Sequence, residues 1–282
     1  FYTSIGGYGL TGTITSIKLK SNSLKQCQSF ESTTYKGIGI DNLLSKFTNN
    51  ENEYSVAWID LINKSYKWVF EVSKPNRNMK NKLLKLPTID KEFKISMPFL
   101  GTNRFNLLRY VNSIFYSLNK NDYQKIKGLD EVFYPLGVLS DSRNLAKKRR
   151  IIQVQFSIPL KFESSLEMLL NLLITDQFPI ICSLKKTGSN ETNLNLSFIQ
   201  EGWTVAVDFA AESFNHESIR NFYTALISCE GKVYLAKDST LKEGEFKLMY
   251  DNYQDWKNIV KRIDPKNVYQ SELSHRLGLK KW

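Results

Sequence analysis

Three stretches of the 282-residue chain place apolar side chains at helical spacing. Arg104 to Leu118 carries Phe105, Leu108, Val111 and Phe115 on one stripe. Phe162, Leu166, Leu169, Leu170 and Leu173 make a second. Ile219, Phe222, Tyr223, Leu226 and Ile227 make a third, with Asn215 as its N-cap and Gly231 just past its end. Stripes of this kind are core faces. A shorter helix is predicted over Ile40 to Phe47, and strands over Thr13 to Leu19, Lys25 to Tyr35, Tyr54 to Asp60 and Lys232 to Leu235. Lys74 to Glu92, rich in Lys and Asn and broken by Pro75 and Pro87, reads as a loop.

Two further segments alternate. In Ile152 to Phe156 the apolar Ile152, Val154 and Phe156 share one face, and Gln153 and Gln155 the other. In Trp203 to Phe209 the odd positions are large and apolar, while Thr204, Ala206 and Asp208 face the opposite way. Such a pair fits a sheet with one face in water, or equally the wall of a polar pocket for a hydroxyl-rich ligand. The pattern alone does not separate the two. No internal repeat and no low-complexity linker interrupts it.

Composition narrows the class. With 41% hydrophobic residues the chain can bury a core as one large domain or two. No apolar run reaches the roughly 20 residues of a membrane span. There is no signal peptide, and the start at Phe1 inside a structured-looking segment is that expected of a fragment of a longer protein. Cys27, Cys182 and Cys229 are odd in number and lack metal-ligand spacing, which reads as reduced core thiols of an intracellular protein. With His216 and His275 as its sole histidines, the chain has no zinc site or His-based triad of its own.

The net charge of +11 calls for an anionic partner or serves solubility. Most of it is dispersed Lys. The exception is Lys147-Lys148-Arg149-Arg150, a solvated loop or a dock for phosphate or acidic headgroups. Gly6, Gly7, Gly9 and Gly12 crowd seven positions, a bare turn or a loop over which a ligand approaches the backbone. Lys237 directly follows the Lys232 to Leu235 strand, where it either pairs with Asp238 or stands exposed, both structurally bland, or stabilises an anionic cofactor or phosphate.

Gly6 to Gly12, Ser55 to Asp60, Gly202 to Phe209, Tyr234 to Ser239 and Asp264 to Ser271 with Arg276 to Leu279 resemble, in order and spacing, FAD-linked oxidases of the vanillyl-alcohol-oxidase (PCMH-type) superfamily. The resemblance covers the whole chain but only the later part of the family protein. It implies an α+β fold: a substrate (cap) domain over 22–231 with an antiparallel sheet flanked by helices, between pieces of the FAD domain at 1–21 and 232–282. The first flavin subdomain would lie upstream, leaving this fragment inactive alone.

The resemblance further implies FAD as cofactor, held in part by Gly6, Gly7, Gly9, Gly12 and Lys237, with Lys237 and Lys185 as catalytic lysines. Phe133 or Tyr134, Gln153, Gln155, Thr204 and Ala206 fall at substrate-binding positions. Thr204, Thr187 and Ala206 stand where members of the family carry Asn, Phe and Cys. The implied reaction is oxidation of a secondary alcohol of a polyprenyl-phosphate-linked pentose, with a separate NAD(P)H-dependent short-chain reductase completing an epimerisation in cell-wall polysaccharide synthesis. The implied location is cytoplasmic, peripheral to the inner membrane through Lys147 to Arg150. A sugar-lactone (aldonolactone) oxidase is the alternative within the superfamily. A basic nucleic-acid-binding module is the alternative outside it, and its aromatic residues fall in core patterns rather than in an RNA-binding signature, so no nucleic-acid partner is expected.

Overall fold

The computed structural model describes residues 1–19, 29–50, 54–76, 104–133, 151–189 and 194–282. Tyr134, Lys147 to Arg150, the side chain of Phe105 and most of the Lys74 to Glu92 stretch lie outside the described residues.

Eight strands form one antiparallel sheet: β1 (Phe30–Ile38), β2 (Tyr54–Asp60), β3 (Lys67–Pro75), β4 (Tyr123–Lys127), β5 (Ile151–Pro159), β6 (Pro179–Thr187), β7 (Gly202–Ala210) and β8 (Lys232–Val233). Their order is β4-β1-β3-β2-β6-β7-β5-β8. The helices among the described residues are α1 (Ile40–Thr48), α2 (Arg104–Leu118), α3 (Leu129–Phe133), α4 (Leu166–Leu173), α5 (Ile219–Ser228), α6 (Glu243–Met249), α7 (Tyr253–Ile263) and α8 (Glu272–Arg276). This is an α+β fold, as the sequence predicts. The sheet has two halves, joined where β2 meets β6 through the pairs Ala57–Leu184 and Trp58–Ser183.

One face of the sheet is the core. Trp68 and Phe70 from one half and Phe156, Trp203, Val205, Val207 and Phe209 from the other are almost fully buried there. Helix α1 buries Ile40, Leu43, Leu44 and Phe47, and the Phe47 ring lies 4.2 Å from Phe70 and 5.2 Å from Trp203, bridging the halves. Helix α4 buries Leu166, Leu169, Leu170 and Leu173, and α5 buries Ile219, Phe222, Tyr223 and Leu226, with Phe222 5.1 Å from Phe156. Of the predicted stripes, Phe162, in the 3₁₀ turn before α4, and Ile227 are half-buried. Each buried side chain of this size contributes roughly 1.5–3 kcal/mol.

Three expectations fail for identifiable reasons. The α2 stripe is not a core face: Phe115 is 43% exposed, and Tyr110, Ile114 and Leu118 are exposed too. The helix lies on the second, polar face, held by Asn112 donating to Asp60 at 2.9 Å and by Phe115 against Trp58 at 4.9 Å. Residues 12–19 join no strand among the described residues and leave Ile14, Ile17 and Leu19 exposed, since β-branched residues make a strand only where a neighbouring edge completes the ladder. Asn215 does not cap α5. Its side chain accepts from the N–H groups of Glu217 and Ser218, closing a turn that precedes the helix by one residue.

Candidate functional site

The second face of the sheet carries the polar residues singled out by alternation. Between β5 and β7, Gln153 stands opposite Asp208, Gln155 opposite Ala206 and Ser157 opposite Thr204. Strand β6 continues these rows with Ile181, Ser183 and Lys185. The middle row runs on from Ser183 to Trp58, Val69 and Lys36. At about 4.8 Å per strand, Gln155 to Ser183 spans about 10 Å, the width of a sugar ring, and beyond it Trp58 is covered by Phe115 of α2.

At one end of this wall three groups converge. Gln153 donates through Nε2 to Asp208, and Lys237 lies close enough to stabilise the Asp208 carboxylate. Burial pushes the Asp208 carboxyl above the usual range, and Gln153 and Lys237 oppose that shift. The chain delivers Lys237 by a short route. Val233 pairs with Phe156, Tyr234 N–H donates to Gln155 O at 2.7 Å, and a 3₁₀ turn, Leu235–Lys237, follows. Asp238 is not the partner of Lys237. It accepts from Thr240 and Leu241 N–H at 2.8 and 2.9 Å and pairs with Arg276 at 2.8 Å. Lys237 is thus unpaired with Asp238 and exposed, the second of its two bland expectations, with Asp208 as its electrostatic neighbour.

The other candidates divide. Lys185 is exposed and faces Thr204 across the ladder. Thr204 is buried, with a hydroxyl that has no partner among the described residues. Ala206 is half-buried between Gln155 and Ser183. Thr187 is committed elsewhere, donating to Gln200 O at 2.6 Å. Phe133 lies 4.9 Å from Tyr54 and 5.7 Å from Phe30, so its ring sits against β1 and β2, with two strands between β2 and β5. The structure does not bring it to Gln153 and Lys237.

The glycine segment is a run of tight turns, closed by Gly7 N–H on Ser4 O at 3.1 Å and Leu10 N–H on Gly7 O at 2.9 Å. The C-terminal helices anchor it: Trp256 Nε1 donates to Thr3 O at 3.1 Å, and Lys280 Nζ reaches Leu10 O at 3.4 Å while paired with Asp264. Tyr8 packs near Tyr234, three residues before Lys237. Burial first, and Tyr234 second, push its phenol above the usual range. At Gly9, φ is 75° and no heavy atom lies within 4 Å of where a Cβ would stand. Gly6 and Gly12 also have positive φ, and Gly7 packs against Thr3 O. The segment is therefore a fixed turn with an open side.

Asp208 is the functional candidate that sequence reasoning passed over. Its signal was present: a single acid on an otherwise neutral strand face. A groove lined by His216, Arg220, Thr240 and Lys242, among others, includes none of the predicted site residues. Among the described residues no group of three His, Cys, Asp or Glu side chains is placed to hold a metal ion, and no helix is long and apolar enough to cross a membrane.

The amide- and cation-lined face of the sheet names no class of protein by itself; likeness in sequence does, and it makes the chain a relative of an oxidase. That relative is one of several matches: decaprenylphosphoryl-beta-D-ribose oxidase of Mycolicibacterium smegmatis, to which the chain is 24% identical over 99% of its own length. The chain spans 63% of that protein's length. A second match, 28% identical over 85 residues, covers 30% of this chain and 23% of an uncharacterized protein in the mprA 5′ region of Streptomyces coelicolor. No family model matches the chain.

Proposed function

We propose that the chain is the substrate-facing part of an FAD-linked oxidoreductase that oxidises a secondary alcohol of a polyprenyl-phosphate-linked pentose. The observation that carries this reading is the convergence of Lys237, Asp208 and Gln153 at one end of a polar wall, with Asp238 withdrawn to Arg276. FAD, when bound, supplies the hydride acceptor at N5. The residues present fit such a group: Gly9 exposes backbone with no atom of the described residues within 4 Å of a Cβ position, and Lys237, an exposed cation, follows Tyr234, which lies near Tyr8.

The protein's own part is orientation and charge. Lys237 favours negative charge at the end of the wall. Gln153 and Gln155, both half-buried, offer neutral hydrogen-bonding groups to sugar hydroxyls. Lys185, exposed beside Thr204, attracts the phosphate that links the sugar to its lipid. Because the ketone formed must be reduced to complete an epimerisation, a separate NAD(P)H-dependent short-chain reductase is the implied partner. Lys147 to Arg150 supplies contact with an anionic membrane surface, worth about 1 kcal/mol per cation.

The test is a visible spectrum of the purified full-length gene product. Flavin absorbance, bleached by a short-chain prenyl-phosphate pentose, is the expected outcome. A colourless protein refutes the reading.

A further inference from the structure

We infer that Asp208 is a positioning residue: its carboxylate holds the Gln153 amide with Nε2 turned inward, so that Oε1 accepts from the substrate and the site selects a hydroxyl there. The inference rests on the function proposed above and concerns which hydrogen-bond sense the wall presents.

An ionised carboxylate only accepts hydrogen bonds, whereas an amide can offer either end. Left free, Gln153 would take a donor or an acceptor equally well. It is not free: Nε2 donates to Asp208 Oδ1 across the β5–β7 ladder, where the two residues are direct cross-strand partners. Oε1 has no partner among the described residues and is left to accept. A fixed acceptor rewards a ligand hydroxyl and penalises a substituent that cannot donate, because the acceptor then loses its water without replacement.

The groups facing Asp208 from neighbouring elements agree with an anionic role. Lys237, from the turn after β8, favours the charged form. On β6 the residue opposite Asp208 is the apolar Ile181. Cys182 beside it, on the core face, is a fully buried thiol whose ionisation burial and the nearby Asp208 both oppose, so it adds no charge. Burial raises the Asp208 carboxyl above the ordinary range, so protonation comes at a higher pH than for an exposed aspartate. Once protonated, Asp208 can itself donate, and the Gln153 amide is free to turn. Hydroxyl selectivity is therefore full above that titration and falls as pH drops through it.

The experiment uses the full-length protein and a short-chain prenyl-phosphate pentose with its singly deoxyfluorinated analogues, in which fluorine replaces a hydroxyl without donating. Dissociation constants are measured by calorimetry, and kcat and KM separately. The wild type should bind one analogue about five- to tenfold more weakly than the parent, the size of one hydrogen bond lost. Asp208→Asn, which can face Gln153 with either end of its amide, should reduce that discrimination below about twofold. It should raise KM for the parent more than it lowers kcat and abolish the pH dependence of selectivity. Gln153→Leu, on the other strand, should lose the same discrimination, which keeps the test open if Asp208→Asn folds poorly. Equal binding of all analogues, no binding of the parent, or undiminished selectivity in both variants overturns the inference. Absence of flavin with selectivity intact overturns the oxidase reading instead and leaves the role of Asp208 standing.

Discussion

Gly202→Ala should be among the most damaging single-methyl changes in the chain. Gly202 opens β7 at φ 155°, opposite Pro159 and Thr187. A Cβ there would stand 2.1 Å from Ile158 O and 2.9 Å from Leu160 N. Both obstacles are backbone, so no rotamer change relieves them; β5 or β7 must move. Unfavourable φ costs about 1–2 kcal/mol, and forced overpacking another 1–3. The sum, about 2–5 kcal/mol, corresponds to a fall in Tm of roughly 5–15 °C for a domain of this size. Two controls isolate the contact. Gly9→Ala has the unfavourable φ but nothing within 4 Å, and should cost about 1 kcal/mol. Gly188→Ala has neither, and should be neutral. Urea midpoints and thermal melts of the three variants decide the matter. A Gly202→Ala protein no less stable than Gly9→Ala would refute the steric reasoning.

Three further outcomes follow from described contacts. Arg220→Lys should cost about 1–2 kcal/mol in urea unfolding, since Nη1 meets both Glu245 oxygens at 2.7 and 2.6 Å while Nη2 reaches Thr240 O at 2.7 Å, a geometry an ammonium cannot copy; unchanged stability would count against it. Asn112→Leu removes a donor from the fully buried Asp60 and should cost about 1–3 kcal/mol, with faster amide exchange across α2 as the local signature. Asp264 is held down to about 2 by Lys280 first and then by the Val268 N–H. A depressed carboxyl stabilises the fold above its unfolded pKa, near 4, and that stability is lost as pH falls from there toward 2. Asp264→Asn should flatten acid unfolding in that window, and an identical acid limb in both proteins would contradict the pairing.

Much of the fold was legible, and the reason is periodicity. The Leu166 to Leu173 and Ile219 to Ile227 stripes became buried helix faces because a sheet lay across from them. The Arg104 to Leu118 stripe has the same spacing but meets Asp60 and Trp58, which nothing local to the helix records. Strands β3, β4 and β6 escaped notice. Lys67–Pro75 mixes charges with buried Trp68 and Phe70, and Tyr123–Lys127 is a short exposed edge. In the candidate site, alternation put Gln153, Gln155, Thr204 and Ala206 on one face, and the ladder kept them there. The Lys237 partner was not legible. Adjacent Asp238 looked like the natural mate, and the contact that diverts it comes from Arg276, far along the chain. Neighbours in sequence are a poor guide to ion pairs when a turn points successive side chains apart.

The tie between the glycine turn and the C-terminal helices also sets an order of events during synthesis. Thr3 is held by Trp256 and Leu10 by Lys280, contacts spanning 253 and 270 positions. Contacts so distant in sequence close late, because the intervening chain must exist and be ordered first. While the sheet is still being synthesised, the partners that hold Thr3 and Leu10 have yet to be made. The turn takes its final shape only once residue 280 is in place, so a ligand that needs this turn meets it after the C-terminal contacts have formed.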